Sequence, residues 1–296
     1  SSEARADPMN YEGQIFRPPN EADSILLQVT VGCSHNGCRF CGMYRNKEFR
    51  IKRIDEIRRD LRCARAEFPD VGRVFLCDGD ALVIPQRQLV EILEAIRSEL
   101  PQVIRVTTYA NAKSIARKSD SELEMLKALN LKLFHVGLES GDDETLRRME
   151  KCGDAQYHVE QAQRAHAAGF KLFVTVLLGL GGRERSREHA EATARTLTAM
   201  KPEYVGALSL MLIPGTPLFS DCRDRRFELP EPKQMLQELR TMLEQTDIRG
   251  IFYANHASNY LPIRARFPRD RAEALAQVDA ALAGEIALTP EWARGT

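Results

Sequence analysis

Three cysteines fall within nine residues, Cys33-Ser-His-Asn-Gly-Cys38-Arg-Phe-Cys41, directly after the apolar run Ser24-Ile-Leu-Leu-Gln-Val-Thr30. Thiolates are soft ligands that suit iron–sulfur clusters, zinc or copper(I), and three at the end of a predicted strand can converge on one metal centre. A closed structural site takes four protein ligands, whereas three leave one coordination position for an outside group. With His35 the same loop also has the makings of a zinc site, so on the loop alone both readings stand.

Further candidates stand where predicted strands end, the place where α/β barrels gather their ligands. Cys77-Asp78-Gly79-Asp80 offers carboxylates and bared backbone to an ammonium group, or is a polar turn that caps a helix. Thr107-Thr-Tyr109-Ala-Asn111 supplies hydroxyls and an amide that bind substrate or cap the next helix. Gly137-Leu-Glu139-Ser140-Gly-Asp142 closes the fourth strand, with Lys151 a cation at a helix end. Leu178-Gly-Leu-Gly-Gly182 and Leu212-Ile213-Pro-Gly-Thr-Pro-Leu218 follow the fifth and sixth. In the tail, Asn255-His256-Ala-Ser-Asn-Tyr260 either lines a substrate pocket, with His256 as acid or base, or is a turn satisfied by its own side chains. His256, Cys77 and Tyr109 are the candidate catalytic side chains. Cys63, Cys152 and Cys222 stand apart from any cysteine-rich motif.

The elements that must position these residues alternate. Strands are predicted at about 25–31, 71–77, 103–108, 131–136, 171–178 and 203–210. Between them, spacings such as Ile54, Ile57, Leu61, Ala64 and Phe68 mark amphipathic helices, Ser119-Asp-Ser-Glu122 reads as a capping box, and Gly169 as a helix stop. Such alternation requires parallel strands joined by crossover helices, in a barrel or a doubly wound sheet. Prolines 214, 217, 230 and 232 break the segment that follows, with helices at about 232–246 and 270–284 and a short strand at 250–253.

The 296 residues, 43% hydrophobic, suffice for one large α/β domain or for one domain with an appendage. Lys plus Arg equal Asp plus Glu at 42 each, which counts against a dedicated nucleic-acid binder. Seven cysteines without disulfide-like spacing point to a reducing cytoplasm. No charged-then-apolar leader opens the sequence, the longest apolar run is too short for a bilayer, and residues 1–8 read as a polar tail.

The cysteine stretch resembles the cluster loop of the radical S-adenosylmethionine (SAM) superfamily, in which three cysteines hold a four-iron cluster whose fourth iron binds SAM. The usual spacing is C-x3-C-x2-C; here four residues separate Cys33 from Cys38, while Cys38 and Cys41 keep theirs and Phe40 supplies the usual aromatic. Asp78-Gly79-Asp80 is similar to the glycine-rich element that meets the SAM amine. Gly137-Leu-Glu-Ser-Gly, with Lys151, and Pro214-Gly-Thr-Pro217 resemble elements of the branch containing methylthiotransferases and anaerobic porphyrin-type enzymes.

The resemblance implies a partial six-unit (β/α)6 barrel over 24–217, after an extension of residues 1–23 and before a mostly helical extension, 218–296, as a substrate-side cap. It implies SAM contacts at Glu139, Ser140 and Lys151, adenine contacts near Met211 and Ile213, and a flavodoxin- or ferredoxin-type reductant. The expected reaction is reductive cleavage of SAM to a 5′-deoxyadenosyl radical that takes hydrogen from a small-molecule substrate. No second cluster domain, RNA-binding tail or cobalamin domain is visible, and Gly42 and Met43 stand where coproporphyrinogen oxidases carry a further cysteine. The rival readings are a non-catalytic iron–sulfur or zinc protein and an RNA-modifying enzyme.

Overall fold

The computed structural model describes residues 9–295; the tail reading of residues 1–8 lies outside them. The chain forms two compact units, one of residues up to 36, 43–135 and 164–171, the other of 37–42, 136–163 and 172 onward.

In the first unit β1 (Ile25–Gln28) is followed by the short strands β2 (Thr30–Val31) and β3 (Arg50–Ile51), helix α1 (Ile54–Glu67), β4 (Arg73–Cys77), α2 (Gln86–Glu99), β5 (Arg105–Ala110), α3 (Ala112–Ala116), α4 (Asp120–Ala128) and the start of β6 (Leu131–Glu139). β1 pairs parallel with β4, and β4 with β5. α1 turns Ile57, Leu61 and Ala64 inward, and α2 turns Leu89, Ile92, Leu93 and Ile96, as their spacing requires. Ser119 and Glu122 form the expected reciprocal cap on α4. The single strand expected over 25–31 is divided. Val29 still donates to Cys77, but Thr30 and Val31 turn away to pair antiparallel with β3. β5 starts and ends two residues later than expected, so Tyr109 and Ala110 lie inside it rather than beyond its end.

The second unit continues β6 and adds α5 (Asp143–Arg148), α6 (Ala155–Ala167), β7 (Lys171–Leu178), α7 (Ser186–Met200), β8 (Tyr204–Ser209), α8 (Pro217–Arg223), α9 (Pro232–Gln245), β9 (Ile251–Tyr253), β10 (Arg264–Arg266) and α10 (Arg271–Leu282); the last turn of α6 belongs to the first unit. β7, β8 and β9 run parallel, and β10 returns antiparallel to β9. The C-terminal extension therefore also lends strands to the sheet. Pro217 opens a helix where a break was expected: at the first helical position a missing N–H costs nothing, and Thr216 caps the turn by accepting from Phe219 at 3.2 Å. Among the described residues no helix is long and apolar enough to cross a membrane.

Candidate active site

In the first unit, the turn after β4 is pressed against the first cysteine. A Cβ on Gly79 would stand 2.7 Å from Cys33 Cβ and 2.9 Å from Tyr44 Cε2, so only glycine permits this approach. Gly79 N donates to the Gly32 carbonyl at 3.1 Å. The flanking carboxylates are buried, which demands partners. Asp78 Oδ2 accepts from Lys47 Nζ at 2.8 Å, Gly32 N at 3.0 Å and Gln28 Nε2 at 3.1 Å, tying β1 and both flanks of the cysteine stretch to β4. Asp80 Oδ2 accepts from Asn111 Nδ2 at 2.8 Å and from Ser34 Oγ, next to Cys33, at 2.9 Å. The other oxygen of each carboxylate is buried without a hydrogen-bond partner among the described residues. Burial pushes the Asp80 carboxyl up to about 6, against the pull of the polar groups of Ser114, Ser34 and Asn111 around it. Each of these orphaned carboxylate oxygens is an acceptor of the kind an ammonium satisfies.

Cys77 and Tyr109 point into a core instead. Cys77 packs with Leu26 and Phe75 beneath Ile15 and Tyr109, and burial pushes its thiol up to about 12, so it stays protonated at neutral pH. The Tyr109 ring meets Phe75 edge-on at 4.9 Å and His135 at 5.9 Å, and burial raises its hydroxyl. Nothing in sequence spacing announced His135, whose Nε2 meets the buried carboxylate of Glu21 at 3.0 Å.

In the second unit, Cys38-Arg39-Phe40-Cys41 is a turn closed by Cys41 N donating to the Cys38 carbonyl at 3.2 Å. Phe40 packs on the cluster of Met149, Leu180, Leu210 and Leu218, which assigns it to anchoring the turn. Gly42 lets the chain pass Ile213, whose Cγ2 would lie 2.7 Å from an added Cβ. The Ile213 carbonyl is taken by Thr216 N at 3.2 Å and Thr216 Oγ1 at 2.8 Å. Glu139 ends β6 with a φ of +67°, a conformation uncommon outside glycine. Its Oε1 lies 3.3 Å from Lys151 Nζ, and both side chains are 12% exposed. Gly137 leaves the space they occupy: a Cβ there would stand 2.1 Å from that oxygen and 3.0 Å from that nitrogen. Burial lowers the Lys151 ammonium, but Glu139, then Cys38 and Cys41, raise it further, and the net shift is upward. The glutamate, the lysine and two of the cysteines thus form one electrostatic neighbourhood.

Ser140 is committed elsewhere. It is fully buried, with Oγ 2.7 Å from His189 Nδ1. Burial pushes His189 down to about 4, so the ring is neutral; Nε2 donates to the Leu177 carbonyl at 3.0 Å, leaving Nδ1 to accept from the serine. Asp142 N in turn donates to Ser140 Oγ at 3.0 Å, and the expected SAM contact becomes a brace for the strand end that carries Glu139. His256 sits in a turn that its own side chains help to satisfy. Its Nδ1 accepts from Ser258 N at 3.1 Å, and Asn259 is bonded to Ser209 Oγ at 2.8 Å and the Ala207 carbonyl at 2.8 Å. Burial lowers the imidazole. His189 and Glu238, the latter pushed up to about 8 by burial and accepting from Gly179 N at 2.6 Å, were missed as polar residues inside helices. Their one sequence signal is a polar residue on the inward stripe, as His189 stands between Ser186 and Thr193.

Among the described residues no three His, Cys, Asp or Glu side chains are grouped as around a single metal ion. A four-iron cluster takes one thiolate per iron, which spaces its ligands more widely than one ion does.

A family model described as the Radical SAM superfamily matches residues 27–197, more than half of the chain. No curated protein is matched in sequence. Among solved structures, the chain is similar to methylornithine synthase PylB (18% identity, 77% of this chain, 66% of that one, TM-score 0.54). It is also similar to coproporphyrinogen III oxidase HemN from Escherichia coli (16%, 82% and 55%, TM-score 0.58). A third likeness is to the methyltransferase TsrM from Kitasatospora setae, solved with cobalamin and a [4Fe–4S] cluster (15%, 68% and 39%, TM-score 0.56). At these identities the likenesses show the fold, and the chain spans from 39% to 66% of the three structures' lengths.

Proposed function

The chain belongs to the radical SAM superfamily, whose enzymes bind a [4Fe–4S] cluster and SAM, and we propose that Cys33, Cys38 and Cys41 hold one such cluster. Bound there, the cluster would supply the electron that splits SAM to a 5′-deoxyadenosyl radical, which takes hydrogen from a small-molecule substrate. The observation that carries this reading is the buried Glu139–Lys151 pair, with the lysine's charge supported by Cys38 and Cys41. Lys151 would hold the SAM carboxylate, and Glu139 would lie beside the ribose and methionine moiety. Asp78 and Asp80 would hold the ammonium through their unpartnered oxygens, while Gly79 keeps the turn close to Cys33. The backbone at Met211 and Ile213 would hold the adenine. Residues 24–217 form the core and 218–296 the substrate-side cap, and a flavodoxin- or ferredoxin-type protein delivers electrons in a reducing cytoplasm, where free cysteines persist.

The test is anaerobic reconstitution, with iron and sulfide determined and 5′-deoxyadenosine measured after adding SAM and a strong reductant. About four irons per chain and formation of the nucleoside are expected. Zinc in place of iron, or a full cluster with neither cleavage nor SAM binding, would overturn the reading.

A further inference from the structure

The turn that carries Cys38 and Cys41 is clasped from both sides through the residue between them. Arg39 N donates to the Met149 carbonyl at 3.1 Å, just past the end of α5, and the Arg39 carbonyl accepts from Leu218 N at 3.0 Å in the first turn of α8. Its guanidinium repeats the span: Nη1 meets Glu150 Oε1 at 3.0 Å and Nη2 meets Asp221 Oδ2 at 2.6 Å. The two ion pairs are not equal. Glu150 is 57% exposed and its contact is screened by water, whereas Asp221 is 16% exposed and is further fixed by Arg226 Nε on its other oxygen at 3.0 Å. A planar guanidinium can hold two carboxylates at a fixed angle, which a lysine ammonium cannot.

We infer that Arg39, through Asp221, is the positioning residue of the cysteine turn: it sets Cys38 and Cys41 in place before any cluster arrives and holds them there afterwards. The inference rests on the proposed cluster. It assigns α8, from the proposed cap, a part in cluster retention, although 182 positions separate Arg39 from Asp221. Neither residue is a proposed ligand of the cluster. Preorganisation lowers the cost of ordering three thiolates around one cofactor and slows the opening of the turn through which iron escapes.

The experiment uses the full chain, reconstituted without oxygen, as wild type, Arg39→Ala, Arg39→Lys, Asp221→Asn and the double variant Arg39→Ala with Asp221→Asn. Three quantities are read: the rate of iron loss to a chelator, the cluster's reduction potential, and the melting temperature of the cluster-free protein. Arg39→Ala should lose iron about tenfold faster, the factor that one charge-assisted hydrogen bond of this kind is worth. Arg39→Lys should fall between it and wild type. Asp221→Asn should add little in the Arg39→Ala background, because both act on one contact. The potential should shift while the melting temperature falls by no more than about 2 °C, the worth of that one contact over the whole chain. Iron loss at the wild-type rate in Arg39→Ala, or faster loss matched by a fall in melting temperature well beyond that, would overturn the inference. Should Arg39→Ala not fold, Arg39→Lys and Asp221→Asn decide by the same readings. A wild-type chain that takes up no cluster would overturn the cofactor reading itself, and is distinguished by failing before any substitution is made.

Discussion

Gly79→Ala tests the contact on which the first half of the site depends. The added methyl would lie 2.7 Å from Cys33 Cβ, 2.9 Å from Tyr44 Cε2 and 3.1 Å from Cys33 Cα. Carbon atoms rest at about 3.5–4.0 Å, so the turn and the cysteine must part by roughly 1 Å. None of those atoms is the free end of a flexible chain. The retreat strains the Gly79–Gly32 hydrogen bond and pulls on Asp78, whose carboxylate binds Gly32, Gln28 and Lys47. Overpacking of this kind costs about 1–3 kcal/mol. With an unfolding entropy of about 2.1 cal/mol/K per residue over the chain, that lowers the melting temperature by about 2 to 5 °C. Calorimetry of the cluster-free protein gives the first reading, and iron per chain after reconstitution gives the second. Both should fall together. Gly284→Ala is the control: its φ of +83° makes alanine costly by conformation, but nothing lies within 4 Å of an added Cβ, so stability should drop without loss of iron. A Gly79→Ala protein with wild-type melting and full iron uptake would refute the argument that this glycine sets the cysteine's position.

Glu139→Ala should weaken SAM binding at least about tenfold, the worth of one charge-assisted contact, while iron stays in place; unchanged affinity by calorimetric titration would remove Glu139 from the site. Cys38→Ala should abolish cluster binding and Cys222→Ala should leave it whole, and full iron and sulfide in the first would overturn the ligand assignment. Asp80 gives a pH signature. Its carboxyl stands higher folded, at about 6, than its ordinary value of 3.8, so the folded state holds the proton more tightly. The contribution is full below the unfolded value and is lost as pH rises through about 6, an effect of order 3 kcal/mol for a shift of this size. Asp80→Asn should remove that slope from the stability profile of the SAM-free protein. SAM affinity should rise over the same interval in wild type alone; parallel profiles for the two proteins would count against the ammonium contact.

Much of this arrangement was legible in the residues. Local periodicity marks α1 through Ile57, Leu61 and Ala64, the capping box at Ser119 and Glu122 opens α4, and the strand–helix alternation implies parallel pairing. The chemistry-bearing stretches were legible for the same reason, since Cys33, Cys38 and Cys41 are near neighbours in the chain and strand ends are where an α/β fold exposes backbone. What tertiary structure decided is the use to which each polar side chain is put, because buried donors and acceptors take whatever partner the fold delivers, however remote in sequence. Ser140 braces a strand end by meeting His189, 49 positions away. Asp78 spends one oxygen on anchoring Gly32 and Lys47, and Cys77 disappears into a core with Leu26 and Phe75. Pro217 starts a helix because Thr216 caps it. Arg39, unremarked between two cysteines, becomes their fastening only because α8 returns Asp221 to it. Spacing reports which residues share a face of one element; which faces meet, and so which charges are satisfied and which are left for a ligand, is settled by packing alone.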